Sequence, residues 1–121
     1  SRGARQQTTW LAPACALANY SGCAGDTEPV GARSPPGDSP YGAQDMGGNV
    51  QEWVWDWYDG AYYATCASGC SNPAGSSSPG WRVLRGGAWF GVADYARASS
   101  RASLEPPNST FTVGVRCAKT P

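Results

Sequence analysis

Gly47-Gly48-Asn49-Val50-Gln51-Glu52-Trp53-Val54-Trp55-Asp56-Trp57-Tyr58 sets a tight backbone turn directly before an aromatic stretch. Two adjacent glycines let the chain adopt positive φ or approach another group closely. From residue 52 onward, Trp53, Trp55 and Trp57 alternate with Val54, Asp56 and Tyr58. A period of two is the pattern of a strand with one aromatic face, and it predicts a strand over 52–58. Asp45 lies just upstream of the turn and Glu52 just downstream. Carboxylates flanking a loop with carbonyls to spare are the oxygen mixture that a hard cation such as Ca2+ takes. The plainer alternative is a turn into a buried strand, with Glu52 capping backbone amides.

The rest of the chain is loop-rich. Its 121 residues include 16 Gly and 10 Pro, which call for turns rather than long helices. With Phe twice and Met once, six Trp and six Tyr are expected to carry most of the core. Nine basic and nine acidic side chains cancel, which leaves no electrostatic case for nucleic acid. No apolar run is long enough to span a membrane, and no basic-then-apolar opening marks a signal peptide within the sequence. Five cysteines in such a chain point to an oxidising compartment: secreted, periplasmic or cell-surface. Sequence leaves connectivity open; proximity favours Cys15–Cys23 and Cys66–Cys70, with Cys117 free. There is no histidine, which excludes Ser–His and Cys–His nucleophile pairs and His-ligated iron.

One domain is expected, with 1–14 a poorly ordered or linker segment and 15–121 the folded part. Residues 10–44 read as Pro/Gly-punctuated loop and 66–80 as a loop of small residues. A strand is expected over 81–85, ending at Gly86-Gly87, and a closing strand over 110–118. Residues 94–104, Ala-rich and with Asp94 near the start, are the best helix candidate. The class is therefore α+β with short, irregular antiparallel strands.

Read in order, the G-N-V-x-E-W of 48–53, the R-V-x-R-G-G-A-W of 82–89, Arg97 and Arg101 followed by Pro106, and Gly114-Val115-Arg116-Cys117-Ala118 resemble the formylglycine-generating-enzyme, or sulfatase-modifying-factor, family. Ala18-Asn19-Tyr20 and Pro29-Val30-Gly31 match its A-N-x and P-V-G segments. The resemblance runs from about Cys15 to Ala118 and implies a C-type-lectin-like fold. It covers the C-terminal half of the family's domain, and the R-L-P-T-E-x-E-W-E motif of the N-terminal half is absent. A protein partner is therefore expected, either that missing half or further copies of the chain.

The resemblance also implies what to look for. The family's oxidases carry a copper-binding cysteine pair after R-G-G-S-x, but residues 86–116 contain no cysteine and Ala88 replaces the serine. Related sulfoxide synthases need iron-binding histidines, which are missing. No catalytic residue is assigned, and the expected function is a non-catalytic, calcium-stabilised binding or display module, a pseudoenzyme recognising a protein or carbohydrate. The alternative is a fragment of a formylglycine-generating-type oxidase whose catalytic residues lie elsewhere.

The variable proteins of diversity-generating retroelements, which share this fold, place their varied positions after R-G-G-x-W and before G-[FV]-R. The candidate ligand residues in those stretches are Phe90, Val92, Asp94, Tyr95, Ser99, Ser103, Phe111 and Thr112. The family's calcium ligands carry over as the Asp45 side chain, the Gly48 and Val50 carbonyls and the Glu52 side chain. Asn19, Tyr20 and Asp26 correspond loosely to a second calcium site. Arg85, Arg97, Arg101 and Arg116 could form an anion pocket, but five fixed donors on each guanidinium are expected to satisfy loop carbonyls and to pair with Asp56, Asp59 or Glu105.

Overall fold

A computed structural model describes residues 11–118. Four short strands form one sheet: β1 (Gln51–Trp57), β2 (Arg82–Arg85), β3 (Ala102–Leu104) and β4 (Val113–Gly114), in the order β3-β2-β1-β4. β1 and β3 run antiparallel to β2, and β4 runs parallel to β1. A single helical turn, α1 (Tyr62–Thr65), and a 3-10 turn (Ala93–Ala96) complete the regular structure of the described residues. The class is α+β and loop-rich, as the glycine and proline content requires.

The aromatic strand forms where it is expected, but its face is not simple. Trp53 pairs with Leu84 and Trp57 with Arg82, so 54–56 bulge out against Val83 alone. A bulge breaks the strict alternation of a strand. Trp55 falls inside it and stands 82% exposed. The expectation of a Trp/Tyr core is therefore corrected. The buried apolar side chains among the described residues are Ala18, Val83, Leu84 and Ala88.

Residues 94–104 do not form a helix. The chain is helical only over Ala93–Ala96, and Arg97 leaves it in an extended conformation at φ −60° and ψ 141°. Ala102, Ser103 and Leu104 instead pair with Leu84, Val83 and Arg82. Completing the ladder of β2 outweighs the modest helix propensity of a few alanines. Residues 110–118 likewise give only the two-residue β4, whose Gly114 lies so close to Val50 that a Cβ would meet its Cγ2 at 2.8 Å. The one-turn α1 was not expected.

Both proximity-favoured disulfides are present, Cys15–Cys23 and Cys66–Cys70, and Cys117 is free and exposed. Of the expected 1–14 segment, 1–10 lies outside the described residues, and 11–14 is irregular.

Candidate recognition surface

Two glycine turns position the loops. Gly48 has φ +83°, and a Cβ there would come within 2.2 Å of the Asn19 carbonyl oxygen. Gly87 has φ +73°, and a Cβ there would press on the Tyr95–Ala96 backbone at 2.9 Å. Glycine is required at both. The close approach lets the Gly48 amide donate to Gly86 O (2.6 Å), the Asn49 amide to Asn19 O (2.7 Å) and the Trp89 amide to Asn49 O (2.9 Å). The Ser21 amide donates to Gly91 O (2.9 Å), which ties 86–91 to the Asn19 segment as well. The Asn49 side chain holds both the amide and the carbonyl of Glu28. The A-N-x, G-N-V and R-G-G segments thus knit one rigid platform.

On that platform Trp89, Phe90 and Phe111 meet. Ring centroids lie 5.8 Å apart for Trp89–Phe90 and 6.2 Å apart for both Trp89–Phe111 and Phe90–Phe111. Phe111 comes from the loop before β4, anchored because the Thr112 carbonyl accepts from the Gln51 amide at 2.7 Å. Tyr95 packs its ring edge beside Gly91, 3.1 Å from where a Cβ would sit. Phe90, Tyr95 and Phe111 are 56%, 56% and 75% exposed. The loops after Trp89 and before Gly114 meet through Phe90 and Phe111, and the rings of Phe90, Tyr95 and Phe111 are exposed. The indole Nε1 of Trp89 is buried without a hydrogen-bond partner.

The other candidates divide. Val92 and Asp94 are exposed beside Tyr95, and Asp94 pairs with Arg97 at 3.2 Å. Ser99 is exposed, whereas Ser103 is half-buried in β3 opposite Val83. Thr112 is buried, and its hydroxyl bonds that of Thr110 at 2.7 Å, so it supports the loop and offers nothing to a ligand. Trp89, which the sequence marks only as the last residue of the R-V-x-R-G-G-A-W motif, joins this cluster, and its place next to Phe90 is the signal for it.

The expected calcium ligands are arranged differently. Both Glu52 carboxylate oxygens accept from Arg116, at 2.8 Å from Nε and 2.6 Å from Nη2, and Nη2 also reaches Asp45 O at 3.2 Å. Asp45 Oδ2 accepts from the Gly31 amide at 2.6 Å. With Glu52 committed to a guanidinium, the side chains as placed do not fit a calcium cage. No group of three or more His, Cys, Asp or Glu side chains that could hold a metal occurs among the described residues. Asn19, 1% exposed, spends its side chain on Asp26 O and the Ala24 amide.

The arginines do satisfy carbonyls, Arg85 that of Ala98 and Arg116 that of Asp45. Among the four, Arg116 pairs with Glu52 and Arg97 with Asp94. Arg101 lies over the rings of Tyr63 and Tyr58. The hydrogen bonds that Arg116 donates to Glu52 raise its pKa above the ordinary arginine value, against an opposing effect of burial, and the charges of Glu52 and Asp45 add to the rise.

A knit loop platform on a small sheet defines an FGE-like, C-type-lectin-like domain, and residues 2–121 match the Sulfatase-modifying factor enzyme 1-like domain. The chain belongs to that family. It is 42% identical over 81 residues to the serine/threonine-protein kinase pkn1 of Chlamydia pneumoniae, covering 67% of this chain and 13% of that protein. It is 38% identical over 124 residues to hercynine oxygenase of Mycolicibacterium thermoresistibile, covering 96% and 27%. With the formylglycine-generating enzyme of Streptomyces coelicolor it shares 37% over 95 residues, covering 76% and 29%.

Among solved structures, Treponema denticola variable protein 1 superposes with TM-score 0.63 at 31% identity, covering 82% of this chain and 34% of that one. PvdO from Pseudomonas aeruginosa gives TM-score 0.68 at 26% identity, covering 89% and 41%. The chain spans less than a third of the kinase, the hercynine oxygenase and the formylglycine-generating enzyme, and less than half of the two solved structures.

Proposed function

We propose that the chain is a non-catalytic binding module whose contact surface is built on Phe90, Tyr95 and Phe111, and whose ligand is a protein or a carbohydrate. The observation that carries this reading is the meeting of the exposed Phe90 and Phe111 rings with half-buried Trp89 on a backbone-bonded platform, with exposed Tyr95 beside Gly91. Rigid aromatics lose little entropy on binding and dominate hot spots. The similarity to a variable protein of Treponema denticola supports it. Both disulfides agree with a secreted, periplasmic or cell-surface setting. No helix among the described residues is long and apolar enough to cross a membrane. A calcium ion at Asp45, Gly48, Val50 and Glu52 enters only through the family resemblance, and it requires Arg116 to release Glu52.

The test is selection of binders from a displayed-peptide library and an oligosaccharide array on the parent chain. These are then reprobed with Phe90→Ala and Phe111→Ala, whose circular dichroism should match the parent. Binders that lose roughly tenfold or more in affinity support the surface. Binders indifferent to both substitutions refute it. The second reading, an oxidase fragment, is favoured by the named enzymes among its relatives. Against it stands the cysteine-free stretch 86–116.

A further inference from the structure

A pocket of about 310 Å3 lies where residues 46–47, the end of β2 and the chain leaving the 3-10 turn come together. Gly47, Arg85, Gly86, Ala96 and Arg97 are among its walls, and it shares no residue with the aromatic surface. Two of its lining side chains are guanidiniums and none is a carboxylate. Arg85 is held in place by donating from Nη2 to the Ala98 carbonyl. Its neighbour across the ladder is Glu52, which spends both carboxylate oxygens on Arg116. Arg85 therefore pairs with no carboxylate among the described residues. Arg97 brings a second positive charge, offset by Asp94 at 3.2 Å in a pair whose side chains are 40% and 63% exposed. Solvent weakens such an exposed pair, so the pocket keeps a positive balance.

We propose that this pocket binds a doubly charged tetrahedral oxyanion, a phosphate group, in the fork of Arg85, with Arg97 adding charge from the facing loop. Three observations carry the inference. A guanidinium has five N–H donors in a fixed plane, and the Ala98 carbonyl takes one of those on Arg85. Such a fork matches phosphate oxygens two at a time. Small residues also bring the backbone within reach. A Cβ at Gly47 would come no closer than 3.7 Å to its surroundings, and one at Gly86 no closer than 3.4 Å. Glycine there lets a ligand approach the chain closely, and the Gly47 amide donates to no carbonyl among the described residues. The volume, finally, is well above the roughly 30 Å3 share of one water in the liquid, so an ion of several heavy atoms fits. The aromatic surface plays no part in the inference.

The test is a titration of the chain with inorganic phosphate, glycerol phosphate and acetate, with ionic strength held constant by chloride and backbone amides followed by NMR. The Gly47 amide should shift with a saturable dependence on either phosphate, while that of Gly69, which lies outside the pocket, stays in place. Saturation by both supports the site, and the tighter of the two tells a free ion from an esterified group. Arg85→Gln and Arg97→Gln should each weaken phosphate roughly tenfold or more, as the loss of hydrogen bonds to a charged group requires. Arg101→Gln, whose guanidinium lies over Tyr58 and Tyr63, should not. Should Arg85→Gln fail to fold, Arg97→Gln keeps the test decisive. Shifts that never saturate overturn the proposal, as does phosphate affinity unchanged in the Arg97 variant. Acetate binding as tightly as phosphate overturns the assignment to a doubly charged group.

Discussion

Glu52 and Arg116 are 64 residues apart in sequence, and their pair is the long-range contact that closes the G-N-V-x-E loop onto the chain beyond β4. Both side chains are partly exposed, at 22% and 37%, so solvent screens the pair and it contributes about 1 kcal/mol at most. Arg116→Gln should lower the melting temperature by roughly 3–6 °C. With the raised pKa of Arg116, the stabilisation from its charge is fully present below the ordinary arginine value and is lost only as pH rises through the higher folded value. The Tm difference between parent and Arg116→Gln should therefore stay flat from neutral to mildly alkaline pH in differential scanning fluorimetry. Calcium offers a sharper check. Because Arg116 already neutralises Glu52, EDTA should leave the parent Tm unchanged, whereas Arg116→Gln should be stabilised by added calcium. A parent that loses stability on chelation would show that the ion displaces Arg116. Trp89 gives a second residue-level prediction. A buried N–H without a partner costs about 1–3 kcal/mol. Trp89→Phe should therefore be destabilised by less than the roughly 3–5 kcal/mol typical of truncating a buried aromatic to Ala, as read by urea unfolding.

The elements are held in place by glycines and cross-links more than by regular structure. Gly48→Ala should destabilise by roughly 2–4 kcal/mol, since it imposes a positive φ on a Cβ that collides with Asn19 O. Gly22→Ala is the control, because its φ of +91° is strained but nothing lies within 4 Å. The difference between the two, read by urea unfolding, isolates the close approach from the backbone strain. The glycine pairs, β1, β2 and both disulfides were legible in the sequence, because turn chemistry, alternation and cysteine proximity are local signals. The β1 bulge and β3 were not. What decides them is the pairing of 102–104 and 53–57 with β2, and no window of sequence contains both partners. The convergence of Phe90 with Phe111 was legible only through family resemblance, and the Glu52–Arg116 pair left no trace in either motif.

At the scale of the molecule, the proposed non-catalytic role turns on which thiols the chain can offer. A thiolate pair is what copper-dependent oxygen activation requires, and a free exposed Cys117 supplies one sulfur. The other four cysteines are closed in disulfides, Cys15 with Cys23 and Cys66 with Cys70. No second thiolate is therefore available among the described residues. A cysteine-containing sulfatase peptide incubated with the chain, copper and oxygen should yield no aldehyde by mass spectrometry. Mild reduction of the disulfides should not change that, because it frees sulfurs tied to loops outside 86–116. Aldehyde formation abolished by Cys117→Ser would place a catalytic sulfur at the end of the V-G-x-R segment. The aromatic surface would then be the rim of an active site, and the binding-module reading would fail.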